Sequence, residues 1–373
     1  MMNRTTRTAF GWMCLAATAL AFSSRPASAN GYTVTNLVSD GGAGSPTALR
    51  TDPNLINPWG MASSPTSPIW VSDNGSGKMT LYNGTTGALV PLVVTVPGAG
   101  TATGQVFNNT AAFNSDVFIT STEGGVIAGW RGALGTNAET LFTTPGAVYK
   151  GLAIDTASGH LYAANFNSGA IDVFGTALPG TFVDPSLPAG FAPFNIQNLG
   201  GTLFVTYAVQ DGTKHDDVPG AGNGIVDAFD LNGNLLRRVT TGNTLNSPWG
   251  LALAPVSFGE FGGDLLVGNF GDGRINAFNP TTGAFLGQLK DGGGAPLTID
   301  GLWGLKFGTG TANGGPAKTL FFTAGPNDEA NGLFGAITVN APEPGSLPLA
   351  ATGALTLLGV LRARRRRHGR ASA

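Results

Sequence analysis

The feature that most constrains this chain is an internal repeat of short β-rich segments. The stretch Asn57-Pro58-Trp59-Gly60-Met61-Ala62 recurs as Ser247-Pro248-Trp249-Gly250-Leu251-Ala252 and again, less completely, as Gly301-Leu302-Trp303-Gly304-Leu305-Lys306. Each copy is followed by further short runs that turn residues separate, and most copies hold four such runs. Four short strands per repeat are typical of propeller blades rather than of helical solenoids. Six copies begin near residues 57, 104, 147, 192, 246 and 299.

The repeat therefore predicts an all-β fold, a six-bladed β-propeller. The sixth copy ends after Val339 with only three strands, while the segment Tyr32 to Ser39 is β-rich and precedes the first blade. We expect this N-terminal segment to supply the missing outer strand of the last blade, because that pairing protects an open edge and closes the ring.

The composition agrees with this fold. Glycine accounts for 58 of the 373 residues, and only 11% of residues are charged. Abundant glycine fits the many turns between strands, and low charge fits strands that are buried on both faces. No stretch between residues 30 and 340 shows sustained helical periodicity.

The N-terminal residues 1–29 have the pattern of a secretory signal peptide. Arg4 and Arg7 precede an apolar run from Ala9 to Phe22, and Ala27-Ser28-Ala29 provides a small-residue cleavage site. A retained membrane anchor is the alternative. Cys14 is the single cysteine of the chain, so cleavage would leave a mature protein without disulfides or a thiolate nucleophile.

The C-terminal residues 341–373 have the pattern of a second targeting segment. Pro342-Glu343-Pro344 is followed by an apolar run from Leu347 to Leu361 and then by six arginines. This order resembles the PEP-CTERM sorting signal of Gram-negative bacteria, which implies processing by an exosortase and a membrane contact made only through a short transmembrane helix. A plain tail anchor is the alternative. Either way, we expect residues 30–340 to be exported to the cell surface or the extracellular matrix.

The arginines of the two terminal segments offset the negative net charge of residues 30–340. The whole chain has a formal net charge of −2, but removal of nine arginines and one glutamate leaves 11 basic and 21 acidic residues. A domain with a net charge of −10 disfavours nucleic acid as a partner and suits solubility or association with cations.

Several stretches resemble a known group of proteins. Asn57-Pro58-Trp59-Gly60 and Ile69-Trp70-Val71-Ser72-Asp73-Asn74 look like the NHL-type propeller repeat, and the whole body resembles a family of uncharacterised bacterial propellers that often carry PEP-CTERM tails. The segments 147–152, 192–196 and 265–273 carry that second resemblance. It implies the fold, and no activity is established for that family.

Candidate ligands for a metal lie where the second strand of each blade ends, since propellers bind ligands at the central channel and its surrounding loops. Oxygen-bearing side chains there could hold Ca²⁺ or another divalent cation. This loosely resembles the gluconolactonase-like propellers, although no general base matches. The alternative is that these side chains shape turns. The candidates are Asp73, Asn74, Glu123, Asn165 and Asn269.

The long insertion of blade four, residues 211–224, offers Asp216 and Asp217 as further metal ligands, or else it is a solvated loop. Trp59, Trp249 and Trp303 occupy equivalent positions in their blades. Together with Tyr207 they are candidates for a ligand-binding aromatic rim, the alternative being that the tryptophans pack between neighbouring blades.

The sequence contains no P-loop, no G-x-S-x-G elbow and no H-E-x-x-H helix, and the body holds only His160 and His215. We therefore favour an exported, non-catalytic protein that binds a polysaccharide or peptide. The alternatives are a divalent-metal-dependent, lactonase-like hydrolase that uses the central channel, and a structural matrix protein.

Overall fold

The computed structural model describes residues 31–98 and 100–340, which contain 24 β-strands. Three short 3₁₀ turns, Phe113–Ser115, Gly132–Leu134 and Gly259–Phe261, are the helical elements of these residues. The strands are β1 (Tyr32–Ser39), β2 (Arg50–Thr51), β3 (Pro58–Ala62), β4 (Ile69–Asp73), β5 (Lys78–Tyr82), β6 (Val94–Thr95), β7 (Ala102–Phe107), β8 (Phe118–Thr122), β9 (Val126–Trp130), β10 (Glu139–Thr143), β11 (Tyr149–Asp155), β12 (His160–Asn165), β13 (Ala170–Phe174), β14 (Phe191–Leu199), β15 (Thr202–Val209), β16 (Ile225–Phe229), β17 (Leu235–Thr241), β18 (Pro248–Leu253), β19 (Leu265–Asn269), β20 (Ile275–Phe278), β21 (Phe285–Gln288), β22 (Leu302–Phe307), β23 (Leu320–Ala324) and β24 (Leu333–Val339).

These strands form six antiparallel sheets, which confirms the predicted six-bladed β-propeller. In chain order, the sheets of the first five blades are β3–β6, β7–β10, β11–β13, β14–β17 and β18–β21. The third of them has three strands. The sixth sheet has the order β2-β1-β24-β23-β22 and so contains strands from both ends of the described chain.

The predicted closure of the ring by the N-terminal segment is confirmed. Strand β1 pairs with β24 in an antiparallel register that runs from Tyr32 opposite Val339 to Ser39 opposite Leu333. The ring of Tyr32 also lies 5.0 Å from the ring of Phe258 in blade five. The N-terminal strand therefore completes blade six and contacts the preceding blade.

Close contacts between the inner strands hold the blades in a ring. In five blades the glycine of the repeat lies so near the next inner strand that an added Cβ would approach its atoms closer than 3.0 Å. In blade four the corresponding residue is Asn195, whose Nδ2 donates to the carbonyl oxygen of Trp249 in blade five at 2.7 Å. The five glycines are Gly60, Gly104, Gly151, Gly250 and Gly304. The glycine of this repeat is thus required by the approach of neighbouring backbones.

The middle strands of the blades are buried along their length because both faces of the sheet are covered there. All five residues of β4 are buried, as are all five of β16 and of β19. Asparagine and aspartate side chains shape many turns between the strands. Asn83 Oδ1, for example, accepts hydrogen bonds of 3.0 Å from the backbone N–H groups of Thr85 and Thr86.

One predicted strand is shorter than expected. The apolar run Leu89 to Val96 was expected to form the outer strand of blade one, but only Val94–Thr95 pairs regularly, and Leu89 makes an isolated bridge to Tyr82. Pro91 lies between these two contacts and has no N–H to donate to a strand ladder.

The predicted signal peptide with its cleavage residues Ala27 and Ala29, and the predicted sorting segment from Pro342, Glu343 and Pro344 onward, lie outside the described residues. Within residues 31–98 and 100–340, no helix has the length and apolar character needed to cross a membrane.

Candidate functional site

The centre of the ring is closed at one end by aromatic side chains. Trp59, Trp249 and Trp303 each follow the first residue of an inner strand, and each is 1–4% exposed. The rings of Trp59 and Trp303 stack with centroids 3.6 Å apart, and Trp249 packs edge-on against both at 6.0 and 5.8 Å. Phe194 and Phe270 also contact Trp303. Residues from different blades can meet in this way only near the axis, so we call this cluster the aromatic plug.

The burial of the three tryptophans agrees with the packing alternative and not with an exposed aromatic rim. Trp303 of blade six packs against Trp59 of blade one and Trp249 of blade five, which are its neighbours in the ring. Because the three indole rings are buried, they present no exposed face on which a sugar or peptide could stack. Tyr207 is also buried, between blades three and four, and burial raises the pKa of its hydroxyl.

A lysine lies directly over the plug. The Lys150 side chain is 2% exposed, and its ammonium lies 5.1 Å from the ring centroid of Trp59. It forms an ion pair with Glu123 and another, of 3.1 Å, with Asp216. Burial alone would lower the pKa of Lys150, but the two carboxylates outweigh burial, and the pKa is raised. Lys150 therefore remains charged and fixes both acidic groups.

Hydrogen bonds extend this network across the end of the ring. Asn74 Nδ2 donates to Glu123 Oε2 at 2.9 Å, and Asn57 Nδ2 donates to Glu329 Oε2 at 2.8 Å. Asn57 Oδ1 in turn accepts the indole N–H of Trp303 at 2.9 Å. Burial raises the pKa of Glu329 to about 7. This polar layer, which we call the ionic cap, thus covers the aromatic plug from above.

The ionic cap also contains the one described group of three side chains with metal-ligand geometry. One ligand atom each from Glu123, His215 and Asp216 lies within 4.8 Å of the others. The Lys150 ammonium already bonds to the carboxylates of Glu123 and Asp216. A divalent cation would compete with it for the same oxygens, so this donor set fits a metal only if Lys150 moves away.

The other predicted metal ligands do not meet at one place. Both carboxyl oxygens of the fully buried Asp73 lack a hydrogen-bond partner among the described residues, and burial raises its pKa well above the usual range. Burial also raises the pKa of Asp217. Asn165 and Asn269 hold local structure, since Asn165 bonds to Asp172 and Asn269 bonds to the carbonyl oxygen of Thr244.

At the opposite end, where the inner strands finish, the channel opens into a cavity of about 360 Å³. A second cavity of about 350 Å³ adjoins it, and the two share Met61, Gln197, Asn198 and Lys306 as lining residues. Together they are lined by residues from all six inner strands. We call this space the open cavity.

Lys306 is the charged side chain of the open cavity, and it has no ion-pair partner among the described residues. Its Nζ reaches only the carbonyl oxygen of Phe307, at 3.5 Å. Burial lowers the pKa of Lys306 to about 8. Three oxygen atoms of lining residues are also buried without a hydrogen-bond partner among the described residues: Ser63 Oγ, Gln105 Oε1 and Gln197 Oε1.

Sequence reasoning missed the open cavity, although a signal was present. Two residues after the repeat glycine or its equivalent, four blades carry Ala62, Val106, Ala153 and Ala252. Blades four and six carry Gln197 and Lys306 instead. A polar residue in a repeat position that is otherwise small and apolar marks these two for a role other than packing.

Comparison with known proteins finds relatives among uncharacterised viral proteins. It is 33% identical over 315 residues to the uncharacterised protein R648 of Acanthamoeba polyphaga mimivirus, which covers 78% of this chain and 76% of that protein. Protein L690 of the same virus is 31% identical over 320 residues, covering 78% and 82%. This chain belongs to their family. No family model matches it.

The solved structures found are less similar. A streptogramin B lyase structure has a TM-score of 0.46 at 13% identity, over 83% of this chain and 97% of that chain. Hydrazine synthase of Kuenenia stuttgartiensis has a TM-score of 0.46 at 15% identity over 75% and 76%. The WD40 propeller domain of Doa1 has a TM-score of 0.44 at 11% identity over 78% and 94%.

Proposed function

We propose that this family member is a non-catalytic binding protein that takes a small ligand into the open cavity. The observation that carries the proposal is the contrast between the closed and the open end of one channel. The aromatic plug closes one end of the channel, and the other end leaves a concave space of about 360 Å³. Cavities of about 300–1,000 Å³ with a few convergent polar groups are typical small-molecule sites.

The walls of the open cavity support the same proposal. They come from the inner strands, which are held by sheet hydrogen bonds and by the close glycine contacts between blades. A rigid wall of this kind gives a preorganised site, because its side chains need little further ordering when a ligand binds. The unpartnered oxygens of Ser63, Gln105 and Gln197 supply polar contacts that a ligand could complete.

We also propose that the protein acts outside the cell. The signal-peptide pattern of residues 1–29 and the Pro342-Glu343-Pro344 segment with its apolar run and arginines support export, exosortase processing and display at the cell surface or in the matrix. We also propose that the chain is related to the NHL-type bacterial propellers. Expression of the full chain in a Gram-negative host with an exosortase, followed by N-terminal sequencing, tests the proposed export. A chain that keeps residue 1 and stays in the cytoplasm would contradict it.

Ligand-observed NMR with a library of small metabolites tests the binding site. We expect hits that bind the wild-type chain and the Ala157→Trp variant, since Ala157 is exposed and does not line the cavity. The same hits should be lost with Thr156→Trp, because Thr156 lines the cavity and a tryptophan there would fill it. Equal binding by both variants would show that the ligand site lies elsewhere.

A divalent-metal-dependent, lactonase-like hydrolase is the second candidate, favoured by the three donor atoms of Glu123, His215 and Asp216 within 4.8 Å. Calcium calorimetry and a lactone hydrolysis screen on the same protein distinguish it. One bound ion that is lost with Glu123→Gln, together with lactone turnover, would replace the binding-only proposal. The absence of both would remove the hydrolase.

A further inference from the structure

We propose that the ligand of the open cavity is a small polyhydroxylated carboxylate, with Lys306 facing the carboxylate and with Ser63, Gln105 and Gln197 accepting hydrogen bonds from hydroxyl groups. This inference rests on the proposed function and goes further by naming the chemical class of the ligand. It depends on three independent properties of the open cavity: its charge, its unpartnered oxygens and its size.

The charge of the cavity calls for an anionic group. Lys306 is half-buried, and no described carboxylate lies within ion-pair distance of its ammonium. The walls contributed by the other five inner strands hold no ionisable side chain. A partly desolvated cation without a counter-ion is unfavourable, and a ligand carboxylate would supply both the charge and a charge-assisted hydrogen bond.

The unpartnered oxygens call for hydrogen-bond donors. Gln105 is 6% exposed, and its Nε2 is already directed to the Met79 sulfur at 3.1 Å, which leaves Oε1 as an acceptor. Gln197 Oε1 and Ser63 Oγ are likewise buried and have no hydrogen-bond partner among the described residues. These acceptors are already buried in the open cavity without a partner from the described chain, a state that costs about 1–3 kcal/mol for each group. Hydroxyl groups on the ligand would satisfy them.

The size and the remaining walls limit the ligand further. A space of about 360 Å³ holds a molecule of monosaccharide size rather than a folded partner. Met61, Val106 and Leu152 provide apolar contacts for the C–H groups of such a molecule. An acidic monosaccharide, free or at the end of a chain, combines a carboxylate, several hydroxyls and apolar C–H faces.

Calorimetry with three matched probes tests the inference: glucuronate, glucose and acetate, at constant ionic strength and pH 7. We expect glucuronate to bind at least tenfold more tightly than either of the other two, since only glucuronate has both kinds of group. Because burial lowers the pKa of Lys306 to about 8, the affinity for glucuronate should weaken as the pH rises above 8.

Two variants assign the effect to named groups. Lys306→Met should remove the preference for glucuronate over glucose, while Lys318→Met, at an exposed lysine outside the cavity, should leave it unchanged. Gln197→Leu should reduce the preference for glucuronate over acetate. Thermal unfolding of each variant shows that it is folded.

The possible failures are distinguishable. If the cavity-filling Thr156→Trp variant abolishes binding of neutral ligands but glucuronate shows no advantage over glucose, the proposed function stands and the carboxylate inference is overturned. If glucuronate is preferred but Lys306→Met keeps that preference, the inference is also overturned. If no probe or library compound depends on the cavity, both proposals fail.

Discussion

The two ends of the central channel use the same kind of residue in opposite ways. Lys150 and Lys306 both lie on inner strands, where Lys150 is buried and Lys306 is half-buried. Glu123 and Asp216 neutralise Lys150 and raise its pKa against the effect of burial, whereas Lys306 has no such partner and its pKa falls to about 8. At the closed end the lysine is therefore neutralised within the protein, whereas at the open end Lys306 has no counter-ion among the described residues. A cation without a counter-ion on a rigid wall distinguishes the proposed binding end from the structural end.

The largest effect that would test this comparison is expected at the aromatic plug. Trp303→Ala should lower the free energy of unfolding by about 3–5 kcal/mol, because it removes a buried ring that contacts four other aromatic rings of the plug. Denaturant unfolding measures this loss. The control is Trp130→Ala, at a partly exposed indole, with a smaller loss expected. Equal losses would show that the plug does not hold the closed end together.

The next effect concerns the ion pair over the plug. Lys150→Met should destabilise the protein by about 2–4 kcal/mol, since it leaves the mostly buried Glu123 carboxylate without its cation. The double variant Lys150→Met/Glu123→Gln should regain a large part of that loss, because both charges are then absent. A double variant as unstable as Lys150→Met alone would mean that the lysine contributes mainly by packing on Trp59.

The open end should respond in the opposite direction. Lys306→Met should stabilise the protein at pH 7 by about 1–3 kcal/mol, because it removes a partly buried charge without a partner. The sign of the pH dependence follows from the two pKa values, about 8 in the folded chain and 10.5 for the unperturbed side chain. The unfolded chain binds the proton more tightly, so wild-type stability should rise between these two values. Thermal unfolding across this range should show that rise in the wild type and not in Lys306→Met.

The smallest effect is expected at Glu329 in the ionic cap. Burial raises its pKa from 4.5 to about 7, so the folded chain retains a proton that the unfolded chain releases. Wild-type stability should therefore fall by about 1 kcal/mol as the pH rises through this range. Glu329→Gln should be insensitive to pH there while keeping the hydrogen bond from Asn57. An unchanged pH profile in the variant would assign the titration to another group.

The fold could be predicted from the sequence because its repeat carries a strict physical requirement. The glycine after Trp59, Trp249 and Trp303 lies where the backbones of neighbouring blades approach, so any other residue would clash. The closing strand was predictable for a similar reason, since three strands after residue 299 left an edge that Tyr32–Ser39 could pair.

The candidate site was less predictable. Two predicted strand-end ligands, Asn74 and Glu123, do lie in one network with Asp216 of the predicted blade-four insertion. No sequence pattern indicated that Lys150 would lie between the two carboxylates. Asp73 follows the same strand-end pattern, yet its side chain is fully buried and does not join the network. Which end of the channel is open depends on how large side chains pack near the axis, and local patterns do not encode that packing.

The pairing of β1 with β24 has a consequence for how the protein is made. The two strands are separated by almost the whole described chain, so the first strand to leave the ribosome is among the last to find its partner. The edge of β1 that pairs with β24 must stay open until the end of the described chain is available, and an open strand edge can associate with other chains. Contacts of such long sequence separation also form slowly. Biogenesis of this propeller therefore has a vulnerable interval that ends only when residues 333–339 are available.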